Sequence, residues 1–298
     1  MNYDFTITNN NINKMVSYYK QYLEDTNDSR MLYSFKSPDF KIIIYNSKKV
    51  VFQGKKNFEE YEKWCKIFGF PVDKPVDYSN YVNEYQNQRI IGSDEVGTGD
   101  FFGPVVVCSA YISPNDSELM NELKIRDSKA LTDKQIIEIG KVLVEKVSYH
   151  VLVLPPEKYN SLIFEGYNLN KIKAYLHNHA LKKLVEKHKD FQNIIVDEFC
   201  SPNNYYKYLA SEKTIKGIHF HTKGESVHPA VAVASIIARY KFLDEMDKLS
   251  EKIKITLPKG SNPSADAIGQ LIYLQYGKDI FEKIAKTHFK NYSRIVKE

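Results

Sequence analysis

Along the first seventy residues the apolar positions follow two different periods. Met15, Tyr18, Tyr22 and Leu23 fall on one side of a helical wheel, which predicts a first helix with these four facing inward. FKIIIY and KKVVFQG then alternate at a period of two around Asn46-Ser47, which predicts a hairpin. Phe58, Tyr61, Cys65 and Phe68 return to helical spacing, with Asn57 as N-cap and Glu60 three positions on to complete a capping box. Over residues 71–87 two prolines and scattered polar residues break the periodicity, and the stretch reads as a linker.

A second pattern starts at residue 88. RIIGSDE and GPVVVCSAYI predict a hairpin across a glycine-rich turn. After it come a helix capped by Thr132 and Gln135 and ending near Lys146, a strand YHVLVL, and a helix over 168–188. A strand NIIVDEF, a short helix after Pro202 and a strand TIKGIHFH follow. Pro229 suits the first position of a helix, HPAVAVASIIARYKFLDEM, whose alanines read as close-packed core; two more helices close the chain. The expected architecture is α/β, a mixed sheet flanked by helices over residues 88–298, preceded by a small α+β unit with an antiparallel sheet over residues 1–70.

Composition narrows the class without naming it. A length of 298 residues allows a main domain with a smaller companion. Apolar runs such as Val105 to Ile112 fall far short of the ~18–20 residues that cross a bilayer. The first residues lack the basic and apolar regions of a secretory signal. Cys65, Cys108 and Cys200 stand apart with no C-x-x-C pair, so a monomer of the reducing cytoplasm is expected, with no disulfide framework and no membrane. A net charge of +5 permits a polyanionic partner.

The chemistry concentrates in acids. IIGSDE and NIIVDE end alike, and each carries a carboxylate toward the core side of a sheet, where it is costly unless paired or bound to a cation. If the two strands are neighbours, Asp94, Glu95 and Asp197 converge with Glu225 of the loop HTKGES. Oxygen-only donors suit Mg²⁺ or Mn²⁺, and two such ions suit phosphodiester hydrolysis, one activating water and one stabilising the leaving oxygen. Adjacent residues on a regular strand face opposite sides. Asp94 and Glu95 therefore share a site only if the strand ends or bulges before Gly97 and Gly99; otherwise one is a ligand and the other an ion-pair partner.

Other features admit two readings each. Gly97-Thr98-Gly99 is either an ordinary turn or a nest of backbone N–H groups that approaches nucleic acid. Lys36, Lys41, Lys48, Lys49, Lys55 and Lys56 gather near the first hairpin, as a phosphate-contacting surface or as a solvated edge that resists aggregation. His219 and His221 share a strand face but lack a third ligand for zinc. His177 and His179 flank Asn178 on a helix and suit no shared ligand geometry, and Asp266 is expected to N-cap a helix.

DEVGTGDFFGPVVV, DSKALTDKQI, NIIVDEF and KGESVHPAVAVASIIAR, in that order, resemble the type 2 ribonucleases H, and within them the ribonuclease HIII branch. The match continues through LPKGSNPSADAIG to THFKNY. YNSKKVVFQG is similar to the TATA-box-binding-protein-like, hybrid-binding domain that this branch carries ahead of its catalytic domain. The resemblance implies an endoribonuclease that cleaves the RNA strand of RNA/DNA hybrids with Mg²⁺ or Mn²⁺ and leaves 5′-phosphate and 3′-hydroxyl ends. The family's four metal-binding acids fall on Asp94, Glu95, Asp197 and Glu225, with Asp94 in the bridging place.

Glu225 and Thr98 stand where ribonucleases HII usually carry Asp and Arg. That favours hybrid cleavage over the alternative, cutting at single ribonucleotides embedded in DNA; a non-catalytic hybrid-binding protein is the other alternative. Backbone groups of Gly97, Thr98 and Gly99 suit the 2′-hydroxyls of a shallow minor groove. Ser128 and Lys129 either contact phosphate or shape the approach to a helix, with Lys259 a weaker candidate of the same kind. Lys48 and Lys49 join the hybrid-binding surface.

Overall fold

The alternating runs pair into two separate five-stranded sheets in the computed structural model, which describes residues 3–26, 28–70, 72, 84–125 and 131–296. The chain divides into two compact units between residues 77 and 78. Of the linker expected over 71–87, residues 71 and 73–83 lie outside the described residues.

In the first unit β1 (Tyr3–Thr6), β2 (Leu23–Glu24), β3 (Met31–Lys36), β4 (Lys41–Tyr45) and β5 (Lys49–Gln53) form an antiparallel sheet in the order β1-β5-β4-β3-β2. Phe35, Ile42, Ile44, Val50 and Phe52 pack on helices α1 (Asn9–Tyr18) and α2 (Asn57–Phe68). The two-residue period sends the intervening positions to the other side, so Lys36, Lys41 and Lys49 share the helix-free face with Ser34, Ile43 and Val51.

Two sequence expectations fail here. The chain leaves α1 at Tyr18 and turns through a 3₁₀ segment into β2, so Tyr18 and Leu23 are exposed and the buried stripe is Ile12, Met15 and Tyr19. The capping box does not form either. Helix α2 starts at Asn57 with Lys56 in the N-cap place, and Glu60 is drawn away by the Tyr19 hydroxyl and Lys63. Trp64, absent from the expected stripe, is buried and donates to Tyr19 Oη at 2.6 Å.

The second sheet runs β10-β9-β6-β7-β8. Strands β6 (Ile90–Val96), β7 (Val105–Ile112) and β8 (Ser148–Leu154) are antiparallel neighbours, whereas β9 (Asn193–Asp197) runs parallel to β6 and β10 (Ile218–His221) parallel to β9. Between and after them lie α3 (Ser117–Glu122), α4 (Asp133–Lys146), α5 (Pro156–Phe164), α6 (Leu169–Lys187), α7 (Pro202–Tyr208), α8 (Pro229–Ile253), α9 (Pro263–Tyr276), α10 (Phe281–Ile284) and α11 (Lys290–Ile295). Helices α3 and α5 are additions to the sequence reading, and among the described residues three helices, α9 to α11, close the chain where two were expected. Thr132 and Gln135 form their capping box, and Pro229 opens α8. Strand β10 starts at Ile218, later than expected, because Gly217 at φ +71° interrupts the extended run.

Alternation along β6 decides what each side of the sheet receives. Ile90, Gly92 and Asp94 face α8, and Ile91, Ser93 and Glu95 face α6. A Cβ on Gly92 would stand 2.3 Å from the backbone of Ala230 and Val231, so only glycine lets α8 lie this close to the strand. Ala230, Ala232, Ala234 and Ala238 are correspondingly buried. Helix α9 is capped by Asn262, whose Oδ1 accepts from Ser264 N and Ala265 N. Asp266 is not its N-cap: it accepts from Asn291 Nδ2 at 2.6 Å and Arg294 Nε at 2.8 Å, and so fastens α11 to α9.

Candidate active site

Strand β9 stops pairing with β6 at Val196 opposite Ser93. Beyond that point β6 continues alone beside β7, without a bulge, through Asp94 opposite Cys108 and Glu95 opposite Val107. The missing neighbour opens a cavity of ≈ 400 Å³ at the ends of the two strands. It is lined by Asp94 and Glu95, by Asp197 at the tip of β9, and by Glu225 from a 3₁₀ turn, Gly224–Ser226, that leads into α8. All four expected acids therefore border one space, although Glu95 turns its carboxylate toward α6. A neighbouring cavity of ≈ 420 Å³ shares Glu225 and is lined also by His228, Gln86, Asn87 and Asn121.

The four carboxylates are held differently. Asp94 accepts from Glu95 N at 2.7 Å and from the Ser235 side chain of α8. Glu95 points to the other side of the sheet, where Lys173 Nζ lies 2.7 Å from Oε1 and His177 Nε2 2.9 Å from Oε2. Asp197 Oδ1 accepts from Gly224 N at 2.6 Å, which seats the turn carrying Glu225. As placed, no three His, Cys, Asp or Glu side chains among the described residues are close enough together to hold a metal ion. Both Glu95 oxygens are taken up by α6.

Electrostatics separate the adjacent pair. Burial first, then the charges of Glu95 and Asp197, push the Asp94 carboxyl well above its ordinary range against the Ser235 hydrogen bond. Burial also pushes Glu95 upward, but the hydrogen bonds and charges of His177 and Lys173 outweigh it and hold Glu95 below its ordinary value. The alternation rule thus holds without exception on β6: Asp94 turns to the α8 side, Glu95 is the ion-pair partner of Lys173, and the two border one cavity because the neighbouring strand ends.

The cavity also contains residues that sequence reading missed. Lys223, in the left-handed region at φ +60°, lines it together with Ser235 and Arg239. Arg239 donates to Leu131 O at 3.2 Å and Asp133 Oδ1 at 2.8 Å, and Lys259 pairs with the other Asp133 oxygen. Ser128 and Lys129 lie outside the described residues. Spacing offered one signal for the grip on Glu95: Lys173 and His177 are four apart on a helix and share a face.

The loop after β6 is fixed from several directions. Gly97 lies at φ +91°, and a Cβ there would meet Pro104 O at 2.2 Å; Gly99 is exposed, and a Cβ there would meet nothing within 4 Å. Asp100 Oδ1 accepts from Gly260 N, and Phe101 N donates to Gly260 O at 3.0 Å. Lys286, fully buried, donates to Asp100 O at 2.8 Å and Gly103 O at 2.7 Å, and burial pushes its pKa down to about 7. A neutral amine has two N–H groups, which match the two carbonyls.

Because the folded pKa of Lys286 is lowered, unfolding takes up a proton between about 7 and the ordinary lysine value near 10.5. Its contribution to stability is complete above the unfolded value and is lost as pH falls toward 7. Chemical denaturation at pH 7, 8, 9 and 10 is expected to show a stability slope that Lys286→Met flattens; an unchanged slope would place the charged form in the core.

Lys48 sits in the β4–β5 turn at φ +66°, and Lys49 pairs with Asp4 at 3.1 Å, as Lys41 does with Glu24 and Lys56 with Asp39. His219 and His221 have parallel rings 6.5 Å apart, covered by Tyr85, whose hydroxyl lies 3.2 Å from His221 Nε2.

The mixed sheet and the acid-lined cavity at the end of its strands define a nuclease of the ribonuclease H-like class. A family model described as Ribonuclease HII matches residues 91–292, and one described only as a domain of unknown function matches residues 5–68. Ribonuclease HIII of Bacillus pumilus is 39% identical over 97% of both chains, and Ribonuclease HIII of Listeria monocytogenes is 39% identical over 89% of this chain and 88% of its own. Among solved structures, Bst-RNase HIII in complex with Mn2+ superposes with a TM-score of 0.71 at 36% identity, covering 99% of this chain and 98% of that one. RNase H3 of Aquifex aeolicus, at 24% identity and a TM-score of 0.56, shares the fold. The chain belongs to the ribonuclease HII family, and its near-full-length relatives there are ribonucleases HIII.

Proposed function

We propose that this enzyme hydrolyses the RNA strand of RNA/DNA hybrids with divalent metal held by Asp94, Glu95, Asp197 and Glu225, leaving 5′-phosphate and 3′-hydroxyl ends. The observation that carries the reading is that these four acidic residues, from two strand ends and one turn, line a single cavity. The donors fit a hard cation in type, since oxygen ligands select Mg²⁺ or Mn²⁺. They fit in charge as well, because the crowding that pushes Asp94 upward is what a divalent ion relieves. When bound, two such ions supply Lewis acidity to the scissile phosphate and its attacking water.

The remaining roles belong to the chain's own groups. The Gly97–Gly99 turn presents backbone at an exposed position with open space around Gly99, which suits close approach to 2′-hydroxyls in the hybrid's shallow minor groove. Ser128 and Lys129 contact phosphate; further along the chain Leu131 and Asp133 accept from Arg239, which lines the cavity. In the first unit, a hybrid-binding domain of the TATA-box-binding-protein type, Lys48 and Lys49 contact the phosphate backbone together with the lysines of the helix-free sheet face. Free cysteines and this substrate suit a monomer working in the cytoplasm.

Two end-labelled duplexes test the substrate, one with a continuous RNA strand on DNA and one with a single ribonucleotide embedded in DNA, each in Mg²⁺ and in Mn²⁺. Cutting of the first with little of the second is expected. Efficient cutting of the second would assign specificity to something other than Thr98 and Glu225.

A further inference from the structure

Glu95 is gripped by two buried side chains of one helix. Lys173 and His177 stand one turn apart on α6, and they are 7% and 0% exposed. Each takes one carboxylate oxygen, at 2.7 Å and 2.9 Å, so the side chain is fixed at both ends of its head group. The grip is anchored in turn. His177 Nδ1 lies 2.8 Å from Ser93 Oγ, which donates to Cys108 O at 2.9 Å and accepts from Ser109 Oγ at 2.9 Å. A hydroxyl has one proton, and with it given to Cys108, Ser93 accepts from the ring N–H. Phe199 closes the group, its ring stacked on His177 at 5.0 Å and 18°, with Lys173 Nζ 4.3 Å from its centroid.

Burying an ammonium and an imidazolium beside a carboxylate carries a desolvation cost that well-packed apolar residues would avoid. On that ground a purely structural role explains the group poorly. A carboxylate offers about four acceptor positions, and the two hydrogen bonds leave one on each oxygen.

We propose that Lys173 and His177 are positioning residues of the metal site: anchored to β6 and β7 through Ser93 and Ser109, they hold the Glu95 carboxylate at the border of the acid-lined cavity, where its remaining acceptor positions are left for a divalent cation. The proposal rests on the reading of the acidic cavity as a metal site. Partners of this kind, which orient a metal-binding carboxylate without touching the metal, commonly set its affinity.

Isothermal titration of the full chain with Mn²⁺ tests it, alongside steady-state cleavage of a hybrid. His177→Phe keeps a ring on Phe199 and removes both donors; Lys173→Met keeps the stem and removes the charge. Each is expected to raise the Mn²⁺ Kd about 10- to 100-fold and to lower kcat by more than it raises KM for the hybrid. His177→Gln, which retains an N–H toward Glu95, is expected to recover most of the affinity. In a Glu95→Gln background His177→Phe should change the Mn²⁺ Kd no further, because its effect runs through Glu95.

Thermal unfolding identifies variants that fold, and if His177→Phe does not, Lys173→Met and its cycle with Glu95→Gln decide the matter. Folded variants that bind Mn²⁺ within about twofold of wild type would overturn the proposal. So would a His177→Phe effect of equal size with and without Glu95, which would make the role one of packing. No Mn²⁺ uptake by the wild type would overturn the metal reading itself, a failure distinct from wild-type binding with indifferent variants.

Discussion

Asp94→Asn is expected to lower hybrid cleavage on the order of 10³-fold or more, the scale on which a member of a catalytic unit fails, while the hybrid Kd stays close to wild type. Asp94 lines the cavity on the α8 side, within reach of the charges of Glu95 and Asp197, and the substitution removes its carboxylate from the acid-lined space. In the proposed function, substrate affinity resides elsewhere, in backbone groups of the Gly97–Gly99 turn and in lysine contacts to phosphate. The fold should tolerate the change. Burial and two like charges already push Asp94 upward, so a neutral amide of the same shape relieves repulsion and can still bond to Ser235. Cleavage kinetics, filter binding and a melting curve on one preparation separate these effects. Turnover equal to wild type would remove Asp94 from the site.

The largest stability effect is expected at Gly97, and Gly99 is its control. A left-handed φ of +91° disfavours any L side chain by about 1–2 kcal/mol. An added Cβ at Gly97 must also displace Pro104 O, at 2.2 Å, and the Phe242 ring, at 3.0 Å, and overpacking of that kind costs about 1–3 kcal/mol more. Gly97→Ala should therefore lose about 2–5 kcal/mol. Gly99→Ala meets open space within the protein, so its stability should stay within about 0.5 kcal/mol of wild type. Its cost should appear as a raised KM for the hybrid, as the proposed approach of this backbone to the minor groove requires. Equal melting temperatures for the two variants, or an unchanged KM for Gly99→Ala, would contradict these roles.

Much of this was legible because period and chemistry agree. Alternation in FKIIIY, KKVVFQG, RIIGSDE and GPVVVCSAYI gave strands that pair as expected. The acids at the ends of IIGSDE and NIIVDE, with Glu225, do line one cavity. Long-range partners account for what was not legible. Glu60 looks like half of a capping box until Tyr19, 41 residues away, takes it, and Asp266 looks like an N-cap until Arg294 does. Tyr18 falls on the helical stripe, but the chain leaves the helix at that residue. The pairing of Glu95 with Lys173 and His177 spans some 80 positions and depends on which side of β6 meets α6. Strand order decides that, and local sequence does not encode it.

The most direct test of the metal-dependent hydrolysis is to map the ends of the RNA fragments that the wild-type chain produces from a uniform hybrid in Mg²⁺ or Mn²⁺, with and without a chelator. Internal cuts in the RNA strand alone, ending in 5′-phosphate and 3′-hydroxyl, abolished by the chelator and restored by added metal, are the predicted result. Cleavage that persists in chelator and leaves 2′,3′-cyclic phosphates would contradict the account, since it would make the substrate's own 2′-hydroxyl the nucleophile and leave the four carboxylates without their role.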